Sequence, residues 1–144
     1  MQASGASRGG LARTGVGLSG DQFWIDEEHP QPRTVVLAVH GEVDLHVVAK
    51  LRDQLAEVIE ENPALLVLDL TGATFLDSTA IAVLLRGMKR LQARGGRFRV
   101  VVPNSQIRRI FEMTLLDRVF DLDASRQKSL AAANGDGRTA RARP

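Results

Sequence analysis

Three short apolar runs, TVVLAVH (34–40), ALLVLDL (64–70) and RFRVVV (97–102), are separated by two stretches whose apolar residues recur every three or four positions. This alternation constrains the fold more than any other feature of the chain. ALLVLDL is almost continuously apolar, as a strand covered on both faces must be. The spacers have the length and period of helices. Strand–helix–strand units of this size pair in parallel through right-handed crossovers, so the fold class is α/β with a mostly parallel sheet.

The remaining elements follow from the same reading. A short edge strand is expected over 22–27, ended by His29-Pro30-Gln31-Pro32. Asp44 opens the first helix, with Val48, Leu51, Leu55, Val58 and Ile59 on its buried side and Asn62-Pro63 stopping it. Asp77 opens the second, with Ile81, Leu84, Leu85, Met88 and Leu91 inward and Lys89, Arg90 and Arg94 opposite; Gly95-Gly96 ends it. Ser105 is expected to cap a third helix with Ile107, Ile110, Phe111 and Leu115 as its stripe. A strand over 119–122 and a weak last helix over 124–132 complete the order ββαβαβαβα.

The chain has 144 residues, enough for one core. Residues 1–20 are glycine-dense without an apolar period and read as a disordered tail; 21–131 read as the domain, and 132–144 as a disordered basic tail. The net charge of +2 conceals a division: residues 21–123 carry 12 Lys/Arg against 16 Asp/Glu, while the flanks carry 7 Lys/Arg and a single acid, Asp136. The basicity lies in the tails, so the domain itself offers no case for direct nucleic-acid binding. No apolar run reaches the ~18 residues of a membrane span, and the N-terminal stretch lacks the apolar centre of a signal peptide. Cysteine is absent, which excludes disulfides and thiolate chemistry. A cytoplasmic location is the expectation.

In open parallel sheets, functional loops gather beyond the C-terminal strand ends. Three such loops are expected here: Gly41-Glu42-Val43-Asp44, the stretch 71–78 (TGATFLDS), and Pro103-Asn104-Ser105. Phe75 and Leu76 read as buried anchors before the second helix, Asp77 as its N-cap, and Ser78 as an exposed first-turn residue. Those residues admit two readings. One is capping alone. The other is a phospho-acceptor serine, where a phosphate adds about −1.5 to −2 charges at a helix N-terminus, beside the carboxylates of Asp77 and Asp44. Asp44 likewise reads as an N-cap, and Asp69, inside an apolar run, as a structural carboxylate needing partners.

Enzymatic readings find little support. Ser78 has no Gly-x-Ser-x-Gly elbow. His29, His40 and His46 are scattered, and neither a His-Glu-x-x-His motif nor a glycine-rich nucleotide loop occurs. The expectation is no catalysis, no cofactor and no metal.

The segments GEVDLHVVAKLRDQL, LLVLDLTGATFLDSTAIAVLL and GGRFRVVVPNSQIRRIFEMTLLDRVFDL resemble the STAS family, especially the bacterial anti-sigma-factor antagonists. The resemblance covers nearly all of 21–123 and neither tail. Its most specific part is Phe75-Leu76-Asp77-Ser78-Thr79-Ala80-Ile81, with Ala80 where the family prefers glycine. By that match Ser78 looks like the phosphorylation site, Thr79 like an alternative acceptor, and Asp44, Asp77, Ser78 and Thr79 like partner-binding residues. The resemblance implies a protein that binds an anti-sigma factor, itself a serine kinase, and so frees a sigma factor for transcription. Phosphorylation by that kinase breaks the complex, and a serine phosphatase restores it.

Other α/β switches fit less well. A two-component receiver needs an acid pair at an early strand end and a lysine on a late strand. Here 35–40 ends without such a pair, and no lysine lies near Pro103 or Leu122. A STAS scaffold, a stressosome component, a subunit of a lipid-transport complex and a nucleotide-binding STAS domain remain alternatives within the family.

Overall fold

The computed structural model describes residues 11–16 and 23–135. Strands β1 (Leu11–Val16), β2 (Phe23–Gln31), β3 (Thr34–Val43), β4 (Leu65–Leu76), β5 (Arg97–Val101) and β6 (Asp121–Asp123) form one six-stranded sheet in sequential order. The first three strands are antiparallel neighbours and β3 to β6 are parallel. Helices α1 (Val48–Glu60), α2 (Ser78–Ala93) and α3 (Ser105–Met113) make the crossovers, and α4 (Arg126–Gly135) follows β6. From Phe23 onward the order is the expected ββαβαβαβα.

Each crossover advances the sheet in the same direction, so connections of one hand place α1, α2 and α3 on one face. The core confirms it. Alternate strand residues (Ile25, Leu37, Leu68 and Val100 among them) pack with Leu51 and Leu55 of α1, Leu84 and Met88 of α2, and Phe111 of α3. The opposite face has a separate, smaller apolar cluster of Val36, Leu65, Val67 and Val101, against which Leu130 of α4 packs.

Several expectations are corrected. Residues 11–16, assigned by composition to a disordered tail, pair antiparallel with β2. The unpaired backbone of an edge strand templates a neighbour whatever that neighbour's side chains are. Hence β2 lies inside the sheet, not at its edge. It also runs past Pro30 to Gln31, with a register shift between Glu28 and Gln31 where proline cannot donate to the ladder. At the other end, α4 carries order to Gly135, four residues beyond the expected domain limit at 131; residues 136–144 of the expected basic tail lie outside the described residues.

The third helix begins differently from its pattern. Asn104, not Ser105, is its cap, its side chain accepting from the amides of Gln106 (2.7 Å) and Ile107 (3.3 Å). Leu115 falls beyond the last turn in the left-handed region (φ 61°) and is 58% exposed, so the buried stripe ends at Phe111.

Candidate functional site

The extensions of β3 and β4 build the site. Both strands continue past their expected ends, so Gly41–Val43 and 71–76 are strand rather than loop. Gly41 takes φ 93° at a register shift, a conformation that favours glycine. The last registered pair is Val43 with Leu76, and the Asp77 amide donates to the Val43 carbonyl (3.2 Å). Asp44 and Asp77 therefore leave the sheet side by side, as adjacent strands require.

Asp77 caps α2 as expected. One carboxylate oxygen accepts from the amides of Thr79 (3.0 Å) and Ala80 (3.1 Å) and from the Thr79 hydroxyl. The Thr79 hydroxyl is the main influence holding the Asp77 carboxyl below the ordinary carboxylate range. Slight desolvation opposes it, and the amides of Ala80, Thr79 and Leu45 add to the lowering.

Asp44 behaves differently from a helix cap. Helix α1 starts at Val48, after Val47, which offers no side-chain cap. The Asp44 carboxylate instead accepts from the His46 amide (2.9 Å), and its carbonyl accepts from the amides of Val47 and Val48. It closes the turn leading into α1, because the longer β3 delays the helix.

The two hydroxyls beside Asp77 are distinguished. Thr79 Oγ1 donates to Asp77 and is half-buried. Ser78 is exposed, and its hydroxyl makes no hydrogen bond among the described residues. Ala80 is fully buried, its methyl within the main core.

Sequence reasoning missed two exposed apolar residues in the segments that flank this end of the sheet. Phe75, read as a buried anchor, is 45% exposed, while Leu76 beside it is buried. The register shifts of β3 against β4 break the simple alternation here, so Ala73 and Leu76 are buried while Thr74 and Phe75 between them are exposed. Leu45 is 65% exposed on the adjacent loop. Phe75, with Ser105, Arg109 and Ile110 of α3, lines a cleft of about 510 Å³. No local period in the sequence marks Phe75 as exposed, since its placement depends on the register shifts between β3 and β4.

Asp69, expected to be structural, accepts two hydrogen bonds from Arg126 (3.1 and 2.9 Å) and others from the Thr71 amide and hydroxyl, on the sheet face opposite α1–α3. His40 stacks on Trp24 with ring centroids 4.6 Å apart and lies 3.2 Å from Asp26. His29 and His46 sit apart from that pair, beside Glu27 and Asp44. Among the described residues no helix is long and apolar enough to cross a membrane.

Comparison with known proteins agrees with this architecture. A family model described as the STAS domain matches residues 27–129. The anti-sigma-F factor antagonist RsfB of Mycobacterium tuberculosis is 33% identical over 100 residues, covering 69% of this chain and 81% of its own. The crystal structure of an anti-sigma factor antagonist from Mycobacterium paratuberculosis superposes with a TM-score of 0.73 at 28% identity, over 79% of this chain and 96% of that one. The Bacillus antagonist SpoIIAA in its unphosphorylated form shares the fold, with a TM-score of 0.67 at 23% identity over 77% and 96% of the two chains.

Proposed function

The chain belongs to the STAS family, and from that premise we propose that it acts as an anti-sigma-factor antagonist switched at Ser78. Unphosphorylated, it binds an anti-sigma factor that is a serine kinase, freeing a sigma factor. The kinase transfers the γ-phosphoryl group of ATP to Ser78 Oγ, leaving ADP, and the complex dissociates. A serine phosphatase hydrolyses the phosphoserine and restores binding. The protein is ligand and substrate in this cycle, acting in the cytoplasm, and no cofactor of its own is called for.

The observation that carries this reading is the contrast between the two hydroxyls. Ser78 is exposed and free of hydrogen bonds among the described residues, while Thr79 is tied to the cap. A kinase therefore meets Ser78 first, and modifying Thr79 costs the hydroxyl bond to the capping carboxylate. A phosphate on Ser78 joins the amide end of α2, which tolerates it, and stands beside the Asp77 carboxylate, which stays ionised. Local negative charge rises without unfolding the helix, at the end of β4 that also carries the exposed Phe75, next to the loop that carries the exposed Leu45. A partner packed there must desolvate the phosphate to stay, which is the switch. Asp44 lies on the same rim as a further partner contact.

The test is direct. Anti-sigma kinases from the same cell are incubated with the protein and ATP, phosphate is mapped by mass spectrometry, and binding is measured for wild type, Ser78→Ala and Ser78→Asp. Phosphate on Ser78, with binding retained by Ser78→Ala and weakened at least about tenfold by Ser78→Asp, supports the switch. Unmodified Ser78 together with undiminished Ser78→Asp binding returns the domain to a scaffold or transport-complex role.

A further inference from the structure

A second recognition surface lies away from the serine, where α1 and α2 run side by side. Each helix presents a stripe at i, i+3, i+4 and i+7 spacing: Arg52, Leu55, Ala56 and Ile59 on α1, and Val83, Arg86, Gly87 and Arg90 on α2. Between the stripes is a groove of about 190 Å³. Its depth follows from small residues. Ala56 leaves one wall low, and Gly87 lets α2 sit close, since a Cβ there would already meet Leu55 at 3.4 Å and Ile59 at 3.7 Å.

The charge on this groove has one sign. Arginines from both helices line it, and no acidic residue does. Arg86 is exposed and has no ion-pair partner among the described residues. Among the described residues Arg52 pairs only with its chain neighbour Asp53 (3.3 Å), with both side chains mostly in water, a contact of little energetic weight. Arg90 is braced by Glu60 (2.9 Å) from outside the groove. The surroundings sharpen the contrast, because residues 21–123 are net acidic.

We propose that this groove is a docking site for an acidic amphipathic helix of a partner protein, with one apolar side chain over Ala56 and carboxylates on Arg52 and Arg86. An apolar floor flanked by cations on both walls suits a helix laid into it, the third helix of a local bundle. The cavity holds one leucine-sized side chain. A nucleic acid or lipid headgroup would leave the apolar floor unused. The chain's own basic flanks are repelled by the arginines, so the occupant comes from another protein. The first groove arginine, Arg86, stands eight residues along α2 from Ser78, about 12 Å by helical rise, so the surface is separate from the serine. The proposal does not depend on Ser78 being modified.

The probe is a lactam-stapled peptide helix of about 15 residues, long enough to be helical once stapled, with glutamates flanking a central leucine. It is titrated into the full-length, ¹⁵N-labelled protein and followed by amide chemical shifts. Expected are saturating shifts at Leu55, Ala56 and Gly87, weakened about tenfold or more by the double variant Arg52→Glu/Arg86→Glu. Ala56→Phe, which fills the groove without altering its charge, also abolishes them. Ser78→Ala and Ser78→Asp bind as wild type does. The milder Arg86→Ala guards against misfolding of the double variant and gives a partial loss. Absence of shifts at millimolar peptide overturns the proposal. Equal or stronger binding at the groove by a single-stranded oligonucleotide or by phosphatidylglycerol vesicles, or peptide binding that survives in Ala56→Phe, overturns it as well.

Discussion

The two faces of the sheet are held by different physics. On one, α1, α2 and α3 press an unbroken apolar layer from Phe23 to Phe120 against the strands. On the other, α4 contributes Leu130 to a four-residue cluster and is otherwise fixed by polar contacts. Arg126 bridges Asp69 (2.9 Å) and Glu28 (2.8 Å), while the buried Ser129 hydroxyl donates to Asp123, which Arg99 also holds at 2.7 Å. Area removed from water stabilises the first face without regard to pH and without screening by dilute salt. Charges and hydrogen bonds fix the second, and they answer to both. The serine stands at the end of the apolar face, on a helix anchored by that core, so its modification can alter the surface while the scaffold stays rigid.

The comparison is broken most severely from the apolar side. Phe111 is fully buried and meets Phe120 edge-on at 5.5 Å. Phe111→Ala is expected to cost about 3–5 kcal/mol in urea unfolding. Leu130→Ala, on the other face and half-buried, is expected to cost about 1 kcal/mol. Equal costs would show that α4 contributes as much to the core as α3 does.

The same division governs what can be read from the chain. The apolar face was legible because its residues repeat with the period of their own element: Leu51, Leu55, Val58 and Ile59 mark α1 without knowledge of any neighbour. The opposite face was not, since its contacts join residues far apart, 57 positions for Arg126 with Asp69 and 98 for Arg126 with Glu28. No local period encodes such a pair. Strand β1 was hidden for a related reason, its pairing being made by backbone. At the site, Asp77 was legible as a cap because capping is local; the turn at Asp44 was not, because it depends on how far β3 continues alongside β4.

A second experiment weakens the polar face alone. Arg126→Ala leaves Asp69, whose side chain is 9% exposed, without its cation. Complete burial of such a pair would make the loss about 3–5 kcal/mol, but Arg126 is itself one-third exposed and solvent screens it, so about 1–2 kcal/mol is expected. Hydrogen exchange should accelerate in α4 and at Val36 and Val67 while α2 stays protected. Loss of protection in α2 would mean the faces are not separable.

At the proposed switch, Asp77→Ala removes the acceptor of two amides and is expected to cost about 1 kcal/mol, with fraying confined to the first turn of α2. Ser78→Ala, which removes an exposed hydroxyl, should stay within about 0.5 kcal/mol of wild type. This pair separates the residue that supports the helix from the one proposed to carry the phosphate. A large loss in Ser78→Ala would give Ser78 a structural role and undermine its use as a free acceptor.

The smallest expected effect is acid sensitivity, and its sign follows from Asp123. Burial pushes that carboxyl up, but hydrogen bonds from Arg99 and Ser129 and the charges of Arg99 and Lys128 outweigh it, so the group sits below the ordinary carboxylate range. A carboxyl depressed in the folded protein contributes stability that is fully present above its unfolded value of about 3.9 and lost as pH falls through the lower folded value. Acidification below about pH 4 should therefore loosen α4 before it touches the apolar face. Asp123→Asn, unable to ionise, should be less stable at neutral pH and lose less than wild type on acidification. Two amide-exchange series, at pH 6 and pH 3.5, suffice to read it. If α4 and α2 lose protection together on acidification, the acid-labile groups that matter lie elsewhere, and the polar face is not the weaker of the two.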